Sequence, residues 1–407
     1  MKIGIFSDTH LGFDEKGERK EESFNNLKQA ISLCLENDAD AILLSGDIFD
    51  APVPSHTVLY KSMECFDFSK KKESNVKLIV EKNGESKEQS FSGIPIMTIH
   101  GNHEFRGKDT KTAIEVLDLS GYLVYFHACR IVIQKDDEKV FVYGLGAVPE
   151  KKALEVLNYW NPKPEPNAVN LMLLHQSIKE FMAIEDEMVA TISLSDLPKG
   201  FDVIVNGHLH WSNIQELGKT KFLLAGSTIP TSIKKLETEK PKGVYLFDSN
   251  SKELSFFPLP NQRKMFYHKE KMDYASPEQV IALCEKLIGK DISEKHEFKP
   301  LIRINFKGTL KKGISHSDIN LNPVLEKYSS HALLSISKNF SNVAFRKKIS
   351  ELRDMQKEKL SVASAGFELL QKNLDETDFG KGIDIRELFD LLSDDNLDDA
   401  LGLFSKE

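Results

Sequence analysis

Cysteine, tryptophan and long hydrophobic runs are scarce in this 407-residue chain. The four cysteines, Cys34, Cys65, Cys129 and Cys284, are scattered and form no CxxC pair. We therefore expect buried thiols in a reducing cytoplasm, with neither disulfides nor thiolate-bound zinc. No apolar stretch approaches the about 20 residues that span a bilayer. The first residues read directly as a strand, so we expect neither a membrane partner nor a targeting segment.

An excess of positive charge is absent as well, because the net charge is −8. Residues 374–407 contain eleven acidic and three basic residues, so this tail accounts for the whole excess and the rest of the chain is neutral. A neutral body can still carry a local basic face, so net charge neither supports nor excludes a nucleic-acid partner. The acidic tail predicts a separate interaction segment.

Short apolar runs alternate with helical patterns over the first 260 residues, which is typical of a layered α/β fold. Buried strands are predicted by KIGIFSD, ADAILLSGD, GIPIMTIHGN, VNLMLLHQS and FDVIVNGH, and helices are expected near 21–37, 55–68, 110–120 and 151–160. One hairpin is expected within 129–145. A second is expected within 69–93, where Asn83-Gly84 suits a tight turn, and we interpret it as a surface insertion.

The pattern changes after residue 260. A strand, a helix that begins at Ser276-Pro277 and another strand predict a small β-α-β module over 261–310. A charged helix is expected over 341–372, and short amphipathic helices near 383–404 have little core of their own. The expected domains are therefore 1–260, 261–335 and a linker with a helical segment over 336–407.

Eight side chains of the metal-binding kind stand in five short motifs, each after a predicted strand. They are Asp8 and His10 in FSDTHLG, Asp47 in LLSGDIFD, Asn102 and His103 in IHGNHE, His175 in LLHQS, and His208 and His210 in NGHLH. The carboxyl ends of strands in α/β sheets are where such proteins hold their active sites. A single motif of this kind is often an ordinary turn, but together the five predict one common site.

The donor set indicates the chemistry of that site. Imidazole, carboxylate and amide oxygens suit first-row ions such as manganese, iron or zinc, and the lack of thiolates disfavours a structural zinc site. If one of the eight side chains is left free for acid–base work, seven ligands remain. Seven are too many for one ion with an open position, and they suit two ions that share one carboxylate. Two ions roughly 3.5–4 Å apart form the usual clamp for phosphoester hydrolysis.

The order of the motifs, D-x-H, GD, GNHE, H and GHxH, resembles the calcineurin-like metallophosphoesterases over roughly residues 1–250. The resemblance implies a layered β-sandwich core flanked by helices, with one ion on Asp8, His10, Asp47 and His210. It implies a second ion on Asp47, Asn102, His175 and His208, so that Asp47 bridges. His103 is not a ligand in that pattern. It is the catalytic residue that stabilises the transition state or protonates the leaving oxygen, a task that suits histidine.

A finer resemblance is to the DNA-repair nucleases of the Mre-eleven family, archaeal type, and their bacterial SbcD relatives. It is carried by GDIFDAPVPS, LLHQS and AGSTIPTSIKKLETEKPKGVYLFD, and by the β-α-β module, which falls where that family has its DNA-capping domain. It implies a nucleoid-associated nuclease with two Mn²⁺ per subunit, active as a 3′-to-5′ exonuclease on duplex DNA and an endonuclease on single strands. It also implies a homodimer whose C-terminal helices bind a Rad-fifty-type coiled-coil ATPase.

Two features depart from the family pattern. Many members carry a histidine three residues after the bridging aspartate, whereas this chain has Asp50, so Asp50 or His56 is the expected accessory residue. The hairpin within 69–93 lengthens the gap between two motifs, beside the helix near 55–68 that in the family helps to build the dimer interface. The apolar residues that could form this interface, or could instead face the chain's own core, are Val58, Leu59, Met63, Phe66, Ile114, Leu117 and Leu119.

Basic residues predict phosphate contacts less sharply, because most lysine clusters are solvated faces; our candidates are Lys108, Lys111, Arg263 and Lys264.

Two other functions stay open at this point. The chain could be a phosphoesterase for small phosphodiesters or nucleotides, although such an enzyme needs neither a capping module nor an acidic tail. It could also be a DNA-end tether without catalysis, although a decayed site should lack some of its ligands.

Overall fold

The structure is a computed structural model that describes residues 1–104, 110–182, 192–341, 370–371, 385–386 and 388–389. Two compact units can be distinguished. The first comprises Met1–Tyr267, Asp291–Ile302 and His331–Leu333, and the second comprises His268–Lys290, Arg303–Ser330 and the described residues from Leu334 onward. The functions that the sequence suggests for its three domains stay predictions.

Two sheets form the centre of the first unit. Their strands, in chain order, are β1 (Lys2–Phe6), β2 (Ala41–Leu44), β3 (Lys77–Lys82), β4 (Glu85–Gln89), β5 (Ile96–Thr98), β6 (Val124–Tyr125), β7 (Cys129–Lys135), β8 (Glu138–Leu145), β9 (Val169–Leu174), β10 (Val203–Asn206), β11 (Asn213–Leu217), β12 (Thr220–Leu224), β13 (Gly243–Asp248) and β14 (Glu253–Pro258). The six-stranded sheet has the order β14-β13-β1-β2-β5-β6, and the eight-stranded sheet has the order β11-β12-β10-β9-β8-β7-β3-β4. Within them β1, β2 and β5 are parallel neighbours, as are β9 and β10.

The two sheets pack face to face, because Ile3 and Ile5 of β1 share one buried cluster with Leu171 of β9 and Val203 of β10. The helices described in this unit are α1 (Glu22–Glu36), α2 (His56–Phe66), α3 (Ala113–Leu119), α4 (Glu150–Trp160) and α5 (Lys235–Thr238). Helices α1, α2 and α3 contribute to the core on the six-stranded sheet, and α4 contributes to the core on the eight-stranded sheet. Short 3-10 helices occupy Asp67–Lys71, Lys179–Phe181, Leu194–Asp196 and His316–Asp318. The predicted layered α/β sandwich is confirmed.

The hairpin within 69–93 is present but is not a surface insertion, so that interpretation was wrong. Strand β3 pairs with β7 along its length, and Leu78 is fully buried in the core between the sheets. Only β4, whose side chains are mostly exposed, lies at the edge. At the turn, Asn83 and Gly84 have φ angles of 52° and 84°, as a type I′ turn requires. The hairpin therefore widens the sheet by two strands.

The apolar residues of α2 and α3 mostly face the chain's own core. Val58, Phe66, Ile114 and Leu117 are buried against the six-stranded sheet, so they are not available for a dimer interface. Leu59 and Met63 are partly buried and pack against the same cluster. Leu119 differs, because it is 91% exposed at the end of α3. The helical period of the apolar residues places most of them on the inner faces of α2 and α3. The candidate dimer interface is therefore limited to the outer faces of these two helices.

The second unit contains most of a three-stranded sheet with the order β15-β16-β17. Its elements are β15 (Met265–Ala275), α6 (Pro277–Asp291), β16 (Leu301–Leu310), α7 (Asn322–Tyr328) and β17 (Leu333–Ser341). Ser276 caps α6 as expected, since its Oγ accepts a hydrogen bond from the Gln279 amide at 3.4 Å and its own amide donates to Gln279 Oε1 at 3.0 Å. The expected β-α-β order is present, and β17 adds a third strand.

The charged helix expected over 341–372 and the tail helices near 383–404 lie almost entirely outside the described residues. In the part of the chain that is described, no helix combines the length and the apolar character needed to cross a bilayer. The four cysteine thiols are free and buried.

Candidate metal centre

The predicted site residues lie in the loops that directly follow β1, β2, β5, β9 and β10. Four of them have left-handed backbone angles, with φ of 52° at Asp8, 44° at His10, 49° at Asp47 and 75° at His208. Such angles are uncommon for residues other than glycine, and they cluster at functional sites. The loops after β1, β2 and β10 thus turn sharply as their strands end, and each directs a polar side chain towards the other loops.

Glycines allow these loops to approach one another. A Cβ atom on Gly46, which has φ of +86°, would lie 2.5 Å from Nδ1 of His175. A Cβ atom on Gly101 would lie 2.0 Å from Oδ1 of Asp47. No side chain fits at either distance, so the glycines of the GD and GNHE motifs are required for the loops to meet.

Asp8, His10 and His210 form the first ligand group. The Nε2 atoms of His10 and His210 are 3.1 Å apart, and Nε2 of His210 lies 3.8 Å from Oδ1 of Asp8. The potential ligand atoms of the three residues all lie within 4.8 Å of one another. Asp8 and His10 are buried, and His210 is half-buried. A group of this composition could hold a divalent cation.

Asp47, His175 and His208 form the second ligand group, with potential ligand atoms within 4.8 Å of one another. Asn102 joins them, because its Oδ1 lies 3.1 Å from Nε2 of His175 and 3.0 Å from Nδ1 of His208. Oδ2 of Asp47 lies 3.2 Å from Nε2 of His175 and 4.0 Å from Nε2 of His10. One carboxylate oxygen therefore faces both groups.

Each histidine of the two groups is held through the ring nitrogen that points away from the site. Nδ1 of His175 donates to the Ser45 carbonyl at 2.7 Å, and Nδ1 of His210 lies 2.7 Å from Oγ1 of Thr231. His208 is turned the other way, with Nε2 3.1 Å from Oγ of Ser177. Such outer contacts fix the tautomer and the orientation of a metal-binding imidazole.

Electrostatics divide the histidines into two kinds. Burial lowers the pKa of His175, but the charge and hydrogen bond of Asp47 outweigh it and raise that pKa to about 10. Burial, together with the charge of His175, lowers the pKa of His208 to about 4. Burial, then the charges of His10 and Lys242, lower the pKa of His210 well below its ordinary value. Without a cation, His175 is therefore protonated beside Asp47, whereas His208 and His210 stay neutral.

The donor set fits divalent cations. Oδ2 of Asp8 is buried and has no hydrogen-bond partner among the described residues. A buried carboxylate oxygen without a partner is costly unless a cation meets it. Burial raises the pKa of Asp8 to about 6, which is the response of a carboxylate that lacks its counter-charge. These observations agree with a metal ligand at this position.

His103 and Asp50 lie beside the two groups. The amide of His103 donates to Oδ1 of Asp47 at 3.0 Å, and its Nδ1 donates to the carbonyl oxygen of Asp50 at 2.6 Å. Its ring packs edge to face against His10, with 4.8 Å between ring centroids. His56, the other accessory candidate, is the exposed first residue of α2.

A family model of calcineurin-like phosphoesterases matches residues 1–212. The chain belongs to this family. Among curated relatives, this phosphoesterase is 25% identical over 385 residues to the DNA double-strand break repair protein Mre11 of Methanococcus maripaludis, covering 90% of this chain and 88% of the relative. It is 26% identical to the double-strand break repair protein MRE11 of mouse, with coverage of 65% and 42%, and to that of Arabidopsis thaliana, with coverage of 75% and 49%. The predicted resemblance to the Mre-eleven family is confirmed. The match covers 49% of the plant protein and 42% of the mouse protein, so this chain spans about half of their length or less.

The basic residues chosen for DNA contacts differ in their placement. Lys111 of the phosphoesterase is exposed and pairs with Glu115 at 2.7 Å, and Lys264 is exposed. Arg263 is buried, and its Nε donates to Glu22 at 2.9 Å, so its guanidinium is occupied within the fold. Lys108 lies outside the described residues.

Several residues that the sequence motifs did not mark as site residues connect the loops of the site. Glu104, buried at the end of GNHE, accepts hydrogen bonds from the amides of Phe49 and Gly101, both at 2.7 Å. It therefore joins the loop of Asp47 to the loop of Asn102. Ser45, Ser177 and Thr231 orient histidines from outside, as described above. A weak signal existed, since each serine stands two residues from a proposed ligand, in LSGD and in LHQS.

Proposed function

We propose that this chain is a manganese-dependent DNA nuclease that processes DNA ends in double-strand-break repair. The observation that carries the proposal is the position of Oδ2 of Asp47, 4.0 Å from Nε2 of His10 in one ligand group and 3.2 Å from Nε2 of His175 in the other. A carboxylate shared in this way suits two ions that act on one phosphodiester. Relatives named as double-strand break repair proteins support DNA as the substrate.

The proposed ligands divide as the two groups do. Asp8, His10, Asp47 and His210 would hold one Mn²⁺, and Asp47, Asn102, His175 and His208 would hold the other. When bound, two such ions polarise the phosphoryl oxygens and activate water for in-line attack. The protein's own contribution is to fix the ligands before the substrate arrives, through the outer contacts of the histidines.

His103 is the proposed catalytic residue. Its Nδ1 is engaged by the Asp50 carbonyl oxygen at 2.6 Å, which leaves Nε2 as the ring atom that can meet the substrate. A proton on Nε2 can stabilise the charge of the phosphorane-like transition state or pass to the leaving oxygen. Its edge contact with His10 keeps the ring next to the first ligand group.

The proposed assembly has three further parts. DNA would lie on exposed lysines such as Lys111 and Lys264, which meet phosphates without reading sequence. A homodimer would use the outer faces of α2 and α3, where Tyr60, Val116 and Leu119 are exposed. The acidic amphipathic segment near 383–404 would bind a Rad-fifty-type ATPase, and the complex would act in the cytoplasm at the nucleoid.

A substrate comparison with the purified full chain tests the proposal. Blunt duplex DNA labelled at either end, a single-stranded DNA circle and a cyclic nucleotide are incubated with Mn²⁺, with EDTA as the control. We expect shortening of duplex DNA from its 3′ ends and opening of the circle. Faster hydrolysis of the cyclic nucleotide than of DNA would favour a small-substrate phosphodiesterase. No cleavage of any substrate with any divalent ion would favour a non-catalytic tether.

A further inference from the structure

We propose that Lys242 and Thr231 form a clamp that positions His210, one from its backbone and the other from its ring, and that this clamp sets the affinity of the first ligand group for its ion. The inference rests on the proposed function, because it concerns the same site. Neither residue belongs to the ligand set, and both lie in the segment that follows the last ligand along the chain.

Lys242 stands directly before β13, with its side chain only 5% exposed. Its Nζ donates to the carbonyl oxygen of His210 at 2.7 Å, to Oγ of Ser227 at 2.9 Å and to Oε2 of Glu237 at 2.9 Å. An ammonium group has three protons to donate, so each of them has a partner. The other oxygen of Glu237 accepts from Oγ of Ser232 at 2.9 Å. The ion pair is thus fully satisfied and fixed in one arrangement.

A buried ion pair of this kind needs a reason beyond stability. Removing two charges from water is costly, and a well-packed apolar pair of the same volume is often at least as stable. An apolar pair could not bind the carbonyl oxygen of His210, however. That carbonyl oxygen also accepts from the Ser227 amide at 3.2 Å. A hydrophobic replacement of the Lys242–Glu237 pair would therefore lose the contact to a residue of the first ligand group, His210.

Thr231 acts on the ring of the same histidine, through the 2.7 Å contact between Oγ1 and Nδ1 of His210. The loop that carries Thr231 is itself fixed at three consecutive carbonyl oxygens. Oxygens of Thr228, Ile229 and Pro230 accept, in order, from Asn26 Nδ2 at 2.8 Å, Ser227 Oγ at 2.6 Å and Arg19 Nη2 at 2.6 Å. Thr231 therefore presents its hydroxyl from a rigid support.

The clamp serves only one of the two ligand groups. The amide of Thr228 donates to the carbonyl oxygen of Asp8 at 3.3 Å, so the same loop touches two members of the first group. In the second group, His175 is held by Ser45 and His208 by Ser177. Loosening the clamp should therefore affect one ion and spare the other, which a general loss of stability would not do.

Manganese binding to the metal-free full chain tests the clamp. Calorimetric titration would be compared for the wild type, Lys242→Met and Thr231→Val. Two matched variants serve as controls: Lys252→Met removes an exposed lysine that pairs with Asp202 at 2.7 Å, and Ser177→Ala removes the equivalent support from the second group. We expect about 10- to 100-fold weaker binding of one ion in both clamp variants. In both clamp variants, manganese electron paramagnetic resonance should report the loss of spin coupling between the two ions. Lys252→Met should match the wild type in both measurements.

The outcomes separate this inference from the proposed function. If folded Lys242→Met and Thr231→Val bind both ions as the wild type does, the clamp is wrong and the proposed function stands. An equal loss of both ions would also overturn the clamp. A wild type that fails to bind two ions refutes the proposed function itself. Should Lys242→Met fail to fold, circular dichroism will reveal it, and normal binding by Thr231→Val alone then overturns the inference.

Discussion

The carboxylate of Asp50 accepts a hydrogen bond from Nδ1 of His10, with 3.1 Å between Oδ1 and Nδ1. Burial lowers the pKa of His10, but this hydrogen bond and the nearby carboxylates outweigh it and raise the pKa. A carboxylate behind a metal-binding imidazole fixes its orientation and increases its basicity. Asp50 therefore orients a proposed ligand, whereas the family resemblance credits the histidine usually found at this position with catalysis.

Replacing Asp50 with asparagine tests this support. Asp50→Asn keeps the shape of the side chain and removes its charge, so we expect about 10-fold weaker Mn²⁺ binding at one site. Titration of the metal-free protein measures the effect. Asp38→Asn, which removes an exposed carboxylate paired with Lys72 at 2.7 Å, is the matched control. Equal affinities in Asp50→Asn and the wild type would show that Asp50 does not support His10.

Replacing His103 with alanine separates catalysis from metal binding. Because His103 is not among the proposed ligands, His103→Ala should retain both ions and DNA binding. Its cleavage of duplex DNA should fall by about 10²- to 10⁴-fold, as for the loss of a general acid. Single-turnover cleavage and a metal titration measure the two properties. His316→Ala, an exposed histidine of the second unit, is the control. Unchanged cleavage by His103→Ala would contradict its assignment as the catalytic residue.

Metal binding should depend on pH in a defined direction. The pKa of Asp8 is raised by burial to about 6, and that of His175 is raised to about 10 by Asp47 against the effect of burial. An ion held by these residues would have to displace a proton from His175 at pH 7.5, and protons would compete with it for Asp8 as the pH falls through 6. We expect release of about one proton on binding at pH 7.5 and weaker binding below pH 6. Calorimetry in buffers of different ionisation enthalpy measures the release, and its absence would contradict the assigned ligands.

Leu119 should be part of the subunit interface if the homodimer forms through α3. Leu119→Glu is expected to convert the dimer to a monomer, because it places a charge in a surface that must be desolvated. Tyr159→Glu is the matched control, since Leu119 is 91% and Tyr159 92% exposed, on α3 and α4 respectively. Sedimentation or light scattering gives the oligomeric state. A Leu119→Glu protein that stays dimeric would rule out this face.

The acidic tail should carry the binding of the ATPase partner. Deleting 374–407 removes the whole net charge excess and the apolar positions near 383–404, so we expect loss of association with the ATPase. Cleavage of DNA with Mn²⁺ should persist, because every proposed ligand lies before residue 211. Co-purification with the ATPase and the nuclease assay measure the two properties. If the shortened chain still binds the ATPase, the interaction surface lies elsewhere.

The predicted strands and the grouping of the site residues followed from a simple feature of the sequence. Runs such as AILL and VIVN are buried on both faces and read as continuous hydrophobic segments, so the polar residue after each run marks the edge of a sheet. Parallel pairing of neighbouring strands then brings those residues together. The five motifs could be placed in space for this reason, without any detail of the loops.

Other features depend on tertiary contacts that periodicity does not encode. The role of Thr231 depends on a loop that returns to His210 after 21 residues, and the pattern of Ser and Thr alone does not select it. Strand β4, ESKEQ, contains no apolar residue. The local sequence of the hairpin therefore did not indicate that β3 pairs with β7 along its length. Which apolar residues of α2 and α3 face inward likewise depends on the sheet that the two helices cover.

The left-handed angles of Asp8, His10, Asp47 and His208 have a consequence for how this fold can change over time. Each such angle costs about 1–2 kcal/mol for a residue other than glycine, and neighbouring contacts must offset it. Replacing one of these residues with glycine would relieve the backbone while it removes a proposed ligand. The stability of the fold would therefore gain from glycine at these positions, and the strain that these aspartate and histidine residues impose is of the kind that is retained at functional sites.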